Sequence, residues 1–284
     1  MAGFPVQRTS MYKGVDLSSA AVPLSFNDQV VAGNVILVFS SGWNIAENGS
    51  VLGAVRDNVG NVYKRLVTSS GQSHGYIEIF AAVNTTTSNI TLTLIPAVNN
   101  LSTRISVQGV EWVGIEDIQV LAQTATGYAQ PNANSLHLAT GPSLQKQNLL
   151  VISALGMLWP QPTKNIVKPP EYTLLEAVQS TPANEMSLAI AYRRVDSLSA
   201  NEALWSFAAQ TQGAQGVLLA LATKKTVKYV RVAFDPAASL ASNFIYQVHR
   251  KPVVENRIFG DFIFNGSVAN IPASRNAQGK VEIA

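Results

Sequence analysis

The chain has 284 residues, of which 47% are hydrophobic and 13% charged, with a net charge of +3 and no cysteine. That length supports two compact domains with full cores and an extension. Without cysteine there are no disulfides, thiolate zinc sites or cysteine nucleophiles, and so small and dispersed a positive charge gives no argument for a nucleic-acid partner.

Residues 1–14 have no periodicity and contain Pro5, Arg8 and Lys13, which predicts an N-terminal arm ordered only against another surface. The opening MAGFPVQRTSMYKGV lacks an apolar signal core, and no apolar run is long enough to span a membrane. Synthesis in a cytoplasm, without membrane insertion, is expected.

Residues 15–115 then read as a first β-domain. Its strands are expected over Asp16–Phe26, Val35–Phe39, Val51–Arg56, Val62–Val67, Tyr76–Val83, Ile90–Ile95 and Ile105–Val113. Asp57-Asn58-Val59-Gly60-Asn61 reads as the turn of a hairpin between the third and fourth of these. Residues 116–224 read as a second domain, with strands over Val120–Tyr128, Asn134–Leu138, Leu149–Leu155, Tyr172–Gln179, Met186–Val195, Ala203–Ala209 and Gly216–Ala222. Many short strands at this spacing predict an all-β fold of two tandem antiparallel, jelly-roll-like sandwiches. Residues 225–284 repeat neither domain. Val227–Val232, Asn243–His249 and Ile258–Phe264 predict a C-terminal β-rich segment, too small for a large core of its own, that docks on a partner or on the second domain.

The second domain reads as a divergent copy of the first. AGNVILVFSSG at Ala32–Gly42 is echoed by KQNLLVISALG at Lys146–Gly156. Tyr76–Asn84 is echoed by Leu188–Asp196 and Asn89–Leu94 by Asn201–Phe207. The offset stays near about 112 residues, a domain-sized period.

Candidate chemistry is sparse. Gly71-Gln72-Ser73-His74-Gly75 fits the G-x-S-x-G nucleophile pattern, but that motif needs a strand-turn-helix context and here a polar loop joins two strands. His74, His137 and His249 have no metal-ligand neighbour at i+2 or i+4. The oxygen-rich 57–61 stretch lacks the further acidic ligands of a calcium loop and reads as a turn. Glu111, Glu116, Asp117, Glu171, Glu176 and Glu185 are scattered, so no carboxylate pair suited to glycoside hydrolysis can be argued. The five N-x-S/T sequons, at Asn48, Asn84, Asn89, Asn100 and Asn265, read as turn and strand chemistry. Trp43 and Trp159 each follow an echoed strand; at loop tips they would offer faces on which a sugar stacks, and otherwise they staple loops to the core. No enzyme, cofactor or metal is expected.

Val55, Asp57, Gly60, Asn61 and Tyr63 give V-x-D-x-x-G-N-x-Y, followed by I-x-I-F-A-A-x-N at Ile77–Asn84, T-L-T-L at Thr91–Leu94 and G-V-E-W at Gly109–Trp112. This order resembles a β-sandwich repeat of phage virion proteins and bacterial surface proteins. It covers the first domain well; the second lacks the D-x-x-G-N-x-Y segment. The resemblance implies a structural or adhesive module, and with no cysteine and no signal core a phage particle protein is expected. In that reading the chain is located in the virion, on the capsid exterior or in the tail. Its partners are other virion proteins and copies of itself. The alternative is a carbohydrate-binding, host-adhesion module carried by Trp43 and Trp159.

Overall fold

The computed structural model describes residues 4–9, 22–43, 52–70, 75–97, 104–118, 122–142, 148–158, 165–179, 186–196, 199–208, 213–224, 227–229, 244–252 and 260–266. The chain separates into two compact units, Met1–Lys224 and Lys225–Ala284. Both are all-β, with no α-helix among the described residues.

In the first unit, eight strands come from the first half of the sequence: β1 (Phe4–Arg8), β2 (Val22–Ser25), β3 (Val35–Trp43), β4 (Leu52–Asp57), β5 (Lys64–Ser70), β6 (Gly75–Val83), β7 (Thr91–Pro96) and β8 (Arg104–Val113). They make a five-stranded antiparallel sheet, β1-β8-β3-β6-β5, and a three-stranded one, β2-β7-β4. Seven more follow: β9 (Gln123–Ala129), β10 (Ser135–Ala139), β11 (Leu149–Leu158), β12 (Thr173–Gln179), β13 (Met186–Val195), β14 (Glu202–Ser206) and β15 (Ala214–Ala222). These make a second five-stranded sheet, β12-β13-β11-β15-β9, and the pair β10-β14.

The two echoed sequences are the central strands of the two large sheets. Val35 of β3 stands opposite Val83 and Trp112, and Leu149 of β11 opposite Val195 and Ala222. A strand flanked on both edges and covered on both faces is expected to be mostly apolar, and β3 and β11 are, apart from the buried serines Ser40, Ser41 and Ser153.

Three apolar layers stack the four sheets. Leu24, Leu92 and Leu94 of the three-stranded sheet pack on Ile36, Val38, Phe80 and Val107. The opposite face of that large sheet, with Leu37, Phe39, Ile79 and Trp112, packs on Ile152, Ile190, Val217 and Leu219 of the other. That sheet's far face, with Val151, Ala191 and Leu218, packs on Leu136, Leu138 and Trp205 of the β10-β14 side. The middle layer is close-fitting. A Cβ on Gly156 would run into the side chain of Ser41, and one on Gly75 into Gln215. Trp112 meets Tyr192 edge-on across the same layer, at 5.2 Å between ring centroids.

The echo holds for strands but not for faces. Val35 looks into the middle layer, whereas Leu149, its partner in the sequence echo, looks into the outer layer of the second half. A one-residue offset exchanges the two faces of a strand. Because both faces of β3 and β11 are buried, the apolar run does not reveal which face is which.

Two other expectations are corrected. Phe4–Arg8, expected in an arm outside the first domain, is the edge strand β1 of the first half's large sheet: Phe4 stands opposite Val113 and Arg8 opposite Val110. Its alternating exposed and half-buried pattern leaves no hydrophobic signal in the sequence. The 57–61 segment is not a hairpin turn, because β4 pairs with β7 and β5 with β6, in different sheets. It is a corner where the chain changes layer.

The second unit contains a three-stranded antiparallel meander of β16 (Val227–Tyr229), β17 (Phe244–Pro252) and β18 (Gly260–Gly266). Val227 pairs with Pro252 and Phe244 with Gly266.

Candidate functional site

The residues of the D-x-x-G-N-x-Y segment converge at the 57–61 corner. One carboxylate oxygen of Asp57 accepts the backbone N–H groups of Val59 (3.1 Å) and Asn61 (3.0 Å). The other accepts the Asn61 amide (2.7 Å) and the Tyr63 hydroxyl (3.0 Å). Gly60 supplies the left-handed φ of 83° that closes the turn. The Asn61 amide also donates to Asn84 Oδ1 (3.0 Å), and Asn61 Oδ1 accepts from the backbone N–H and the hydroxyl of Thr85. Asn84 then donates to the carbonyls of Val30 and Thr86. Burial, reinforced by the neighbouring Asp57 charge and hydrogen bond, raises the Tyr63 hydroxyl far above the ordinary tyrosine range. The corner thus joins the motif's turn to the Asn that ends I-x-I-F-A-A-x-N, and its carboxylate is committed to holding backbone.

Two further carboxylates are buried and likewise engaged. Glu111 of G-V-E-W accepts from Gln7 (2.8 Å), Asn34 (2.6 Å) and the Val31 N–H (2.8 Å), which ties β1 and the 31–34 turn to β8. Glu78 accepts the Leu52 N–H (3.0 Å) and lies 3.4 Å from Arg65 Nε; Arg65 covers the Phe80 ring.

A pocket of 510 Å³ lies in the second half, lined by His137, Pro169, Pro170, Glu171, Glu202 and Leu204. His137 Nε2 is 3.5 Å from Glu202 Oε2 across the β10–β14 pair, with both side chains more than half exposed. Glu171 has a φ of 64° and pairs with Arg193 at 2.9 Å. Arg193 stacks on Tyr172, whose hydroxyl donates to the Glu202 carbonyl at 3.0 Å. Burial pushes the Tyr172 hydroxyl up to about 12, partly offset by Arg193. Both carboxylates of the lining therefore already have neighbours within the chain, Glu171 in Arg193 and Glu202 in His137. Among the described residues no three His, Asp or Glu side chains are placed to hold a metal ion.

His137, Glu171 and Glu202 are far apart in sequence, and only the β10–β14 pairing and the 169–172 turn bring them to one pocket. Trp43 ends β3, opposite Gly75 and Arg104. Trp159, Ser73 and His74 lie outside the described residues. The other two tryptophans are core: Trp112 is fully buried, and so is Trp205, whose indole donates to Ser153 Oγ at 2.8 Å.

Compared with protein-family models, curated proteins and solved structures, the chain matches none of them.

Proposed function

We propose that the chain is a non-enzymatic structural component of a bacteriophage particle, located on the capsid exterior or in the tail, that assembles with other particle proteins. The observation that carries this reading is the fate of the motif on which the resemblance rests. Asp57, Asn61, Tyr63 and Asn84 form one corner network, and Glu111 fastens β1. The motif's polar residues therefore serve architecture, as the resemblance to a virion sandwich repeat implies. The low share of charged residues supports a protein whose surface is covered by neighbours.

The test is co-purification. A tagged full-length chain, expressed in a host producing the particles, should band with them through a density gradient at a fixed stoichiometry. Its absence from the particles would overturn the reading. If the free chain were then retained on a glycan array, and Trp43→Ala or Trp159→Ala abolished that retention, the host-adhesion alternative would replace it.

A further inference from the structure

The two five-stranded sheets have four edge strands, and open strand edges invite pairing unless guarded by prolines, charges or bulges. Three of the four are guarded. β1 contains Pro5 and Arg8 and shifts register between Pro5 and Gln7. β5 begins with Lys64-Arg65 and shifts between Arg65 and Val67. β12 contains Glu176 and shifts between Leu174 and Glu176.

β9 carries none of these devices. Its sequence, QTATGYA, has no charge and no proline, and it runs in unbroken register along β15, from Ala129 opposite Ala214 to Gln123 opposite Ala220. It ends its sheet, with no described strand on its outer side. Thr124 and Thr126 are exposed, while Ala125, Gly127 and Tyr128 are half-buried. One end is fastened: the Gln123 side chain donates to the Gly141 carbonyl (2.5 Å) and accepts from Asn201 (2.5 Å). The edge is unbroken in register, fastened at one end and, among the described residues, paired with no further strand.

We propose that β9 is a homotypic contact, where a second copy of the chain adds its own β9 antiparallel about a two-fold axis at Thr126. The strand is compatible with itself at every position. Thr126 falls opposite its own copy, Thr124 opposite Tyr128, Ala125 opposite Gly127 and Gln123 opposite Ala129. No like charges meet, and the small residues let the backbones approach. Ser69 of β5 donates to the Gly127 carbonyl at 3.4 Å, so the uncharged end of β5 lies near the axis. Lys64 and Arg65 sit roughly 15 Å further along that strand. This contact stands independently of the particle reading.

Because the chain has no cysteine, Thr126→Cys introduces a single thiol. Across the axis the two Cβ atoms would lie about 4.5–5.5 Å apart, near disulfide-forming distance. Mild oxidation of the full chain should give a linked dimer. Thr173→Cys, on the guarded edge β12, should stay unlinked under the same conditions. Light scattering of the parent should show a dimer that dissociates on dilution. Thr126→Lys should weaken it about tenfold or more without altering thermal unfolding, and an equimolar mixture of Thr126→Lys and Thr126→Asp should restore it. A parent that stays monomeric at every concentration, or linkage at position 126 no faster than at 173, would overturn the proposal.

Discussion

Tyr63 and Tyr172 are side chains whose titration the fold controls. Each hydroxyl is raised from the ordinary value of 10.0, chiefly by burial, which penalises the phenolate; at Tyr63 the Asp57 charge adds to it. A folded-state value above the unfolded one means that the folded chain keeps a proton which the unfolded chain releases. The associated stability is therefore fully present below pH about 10 and falls as pH rises. The Tyr172 share is lost by about 12, whereas the Tyr63 share continues to fall beyond it. Each such tyrosine should contribute a loss of about 1.4 kcal/mol per pH unit within its window. Urea unfolding measured in steps above pH about 10 should show a steeper decline for the parent than for Tyr63→Phe, which has no proton to release. Equal slopes would mean that Tyr63 ionises freely in the folded protein.

Among the elements, the β4–β5 corner shows what a short polar segment does for a layered fold. Asp57 accepts four hydrogen bonds there, two from backbone N–H groups and two from side chains. Asp57→Ala leaves those donors without their acceptor and should cost about 2–4 kcal/mol, read as a lower urea midpoint with an unchanged slope. Asp57→Asn keeps one acceptor oxygen but turns an NH₂ toward donors, and should fall between the two. A loss under about 0.5 kcal/mol for the alanine variant would make the network ornamental. The corner also marks the limit of what the sequence discloses. Asp, Asn and Gly at 57–61 announce a turn, but a hairpin and a layer change use the same turn chemistry; the pairing of β4 with β7, which decides between them, is remote in sequence. Strands with strong apolar content, such as β3 and β11, are legible from their residues, and so is the all-β class. β1 is not, because as an edge strand it needs no hydrophobic alternation. The pocket is not legible either: its His137, Glu171 and Glu202 belong to separate elements and carry no spacing signal.

Across the first unit, the middle apolar layer decides how the molecule behaves. Leu37, Phe39 and Ile79 from one half and Ile152, Ile190 and Leu219 from the other bury one another completely. Neither large sheet could expose that face to water without losing roughly 1.5–3 kcal/mol for each large side chain. The two halves are thus expected to open as one cooperative unit, although no described strand of one half pairs within a sheet of the other. Native-state hydrogen exchange on Leu219→Ala tests this most directly. Leu219 lies on β15 and is fully buried in the middle layer, so its truncation should cost about 2–5 kcal/mol. The slowest amides of β3, β6 and β8 should lose that protection together with those of β11, β13 and β15. If protection falls only in β11, β13 and β15 while β3, β6 and β8 keep theirs, the halves fold separately and the shared core does not govern the molecule.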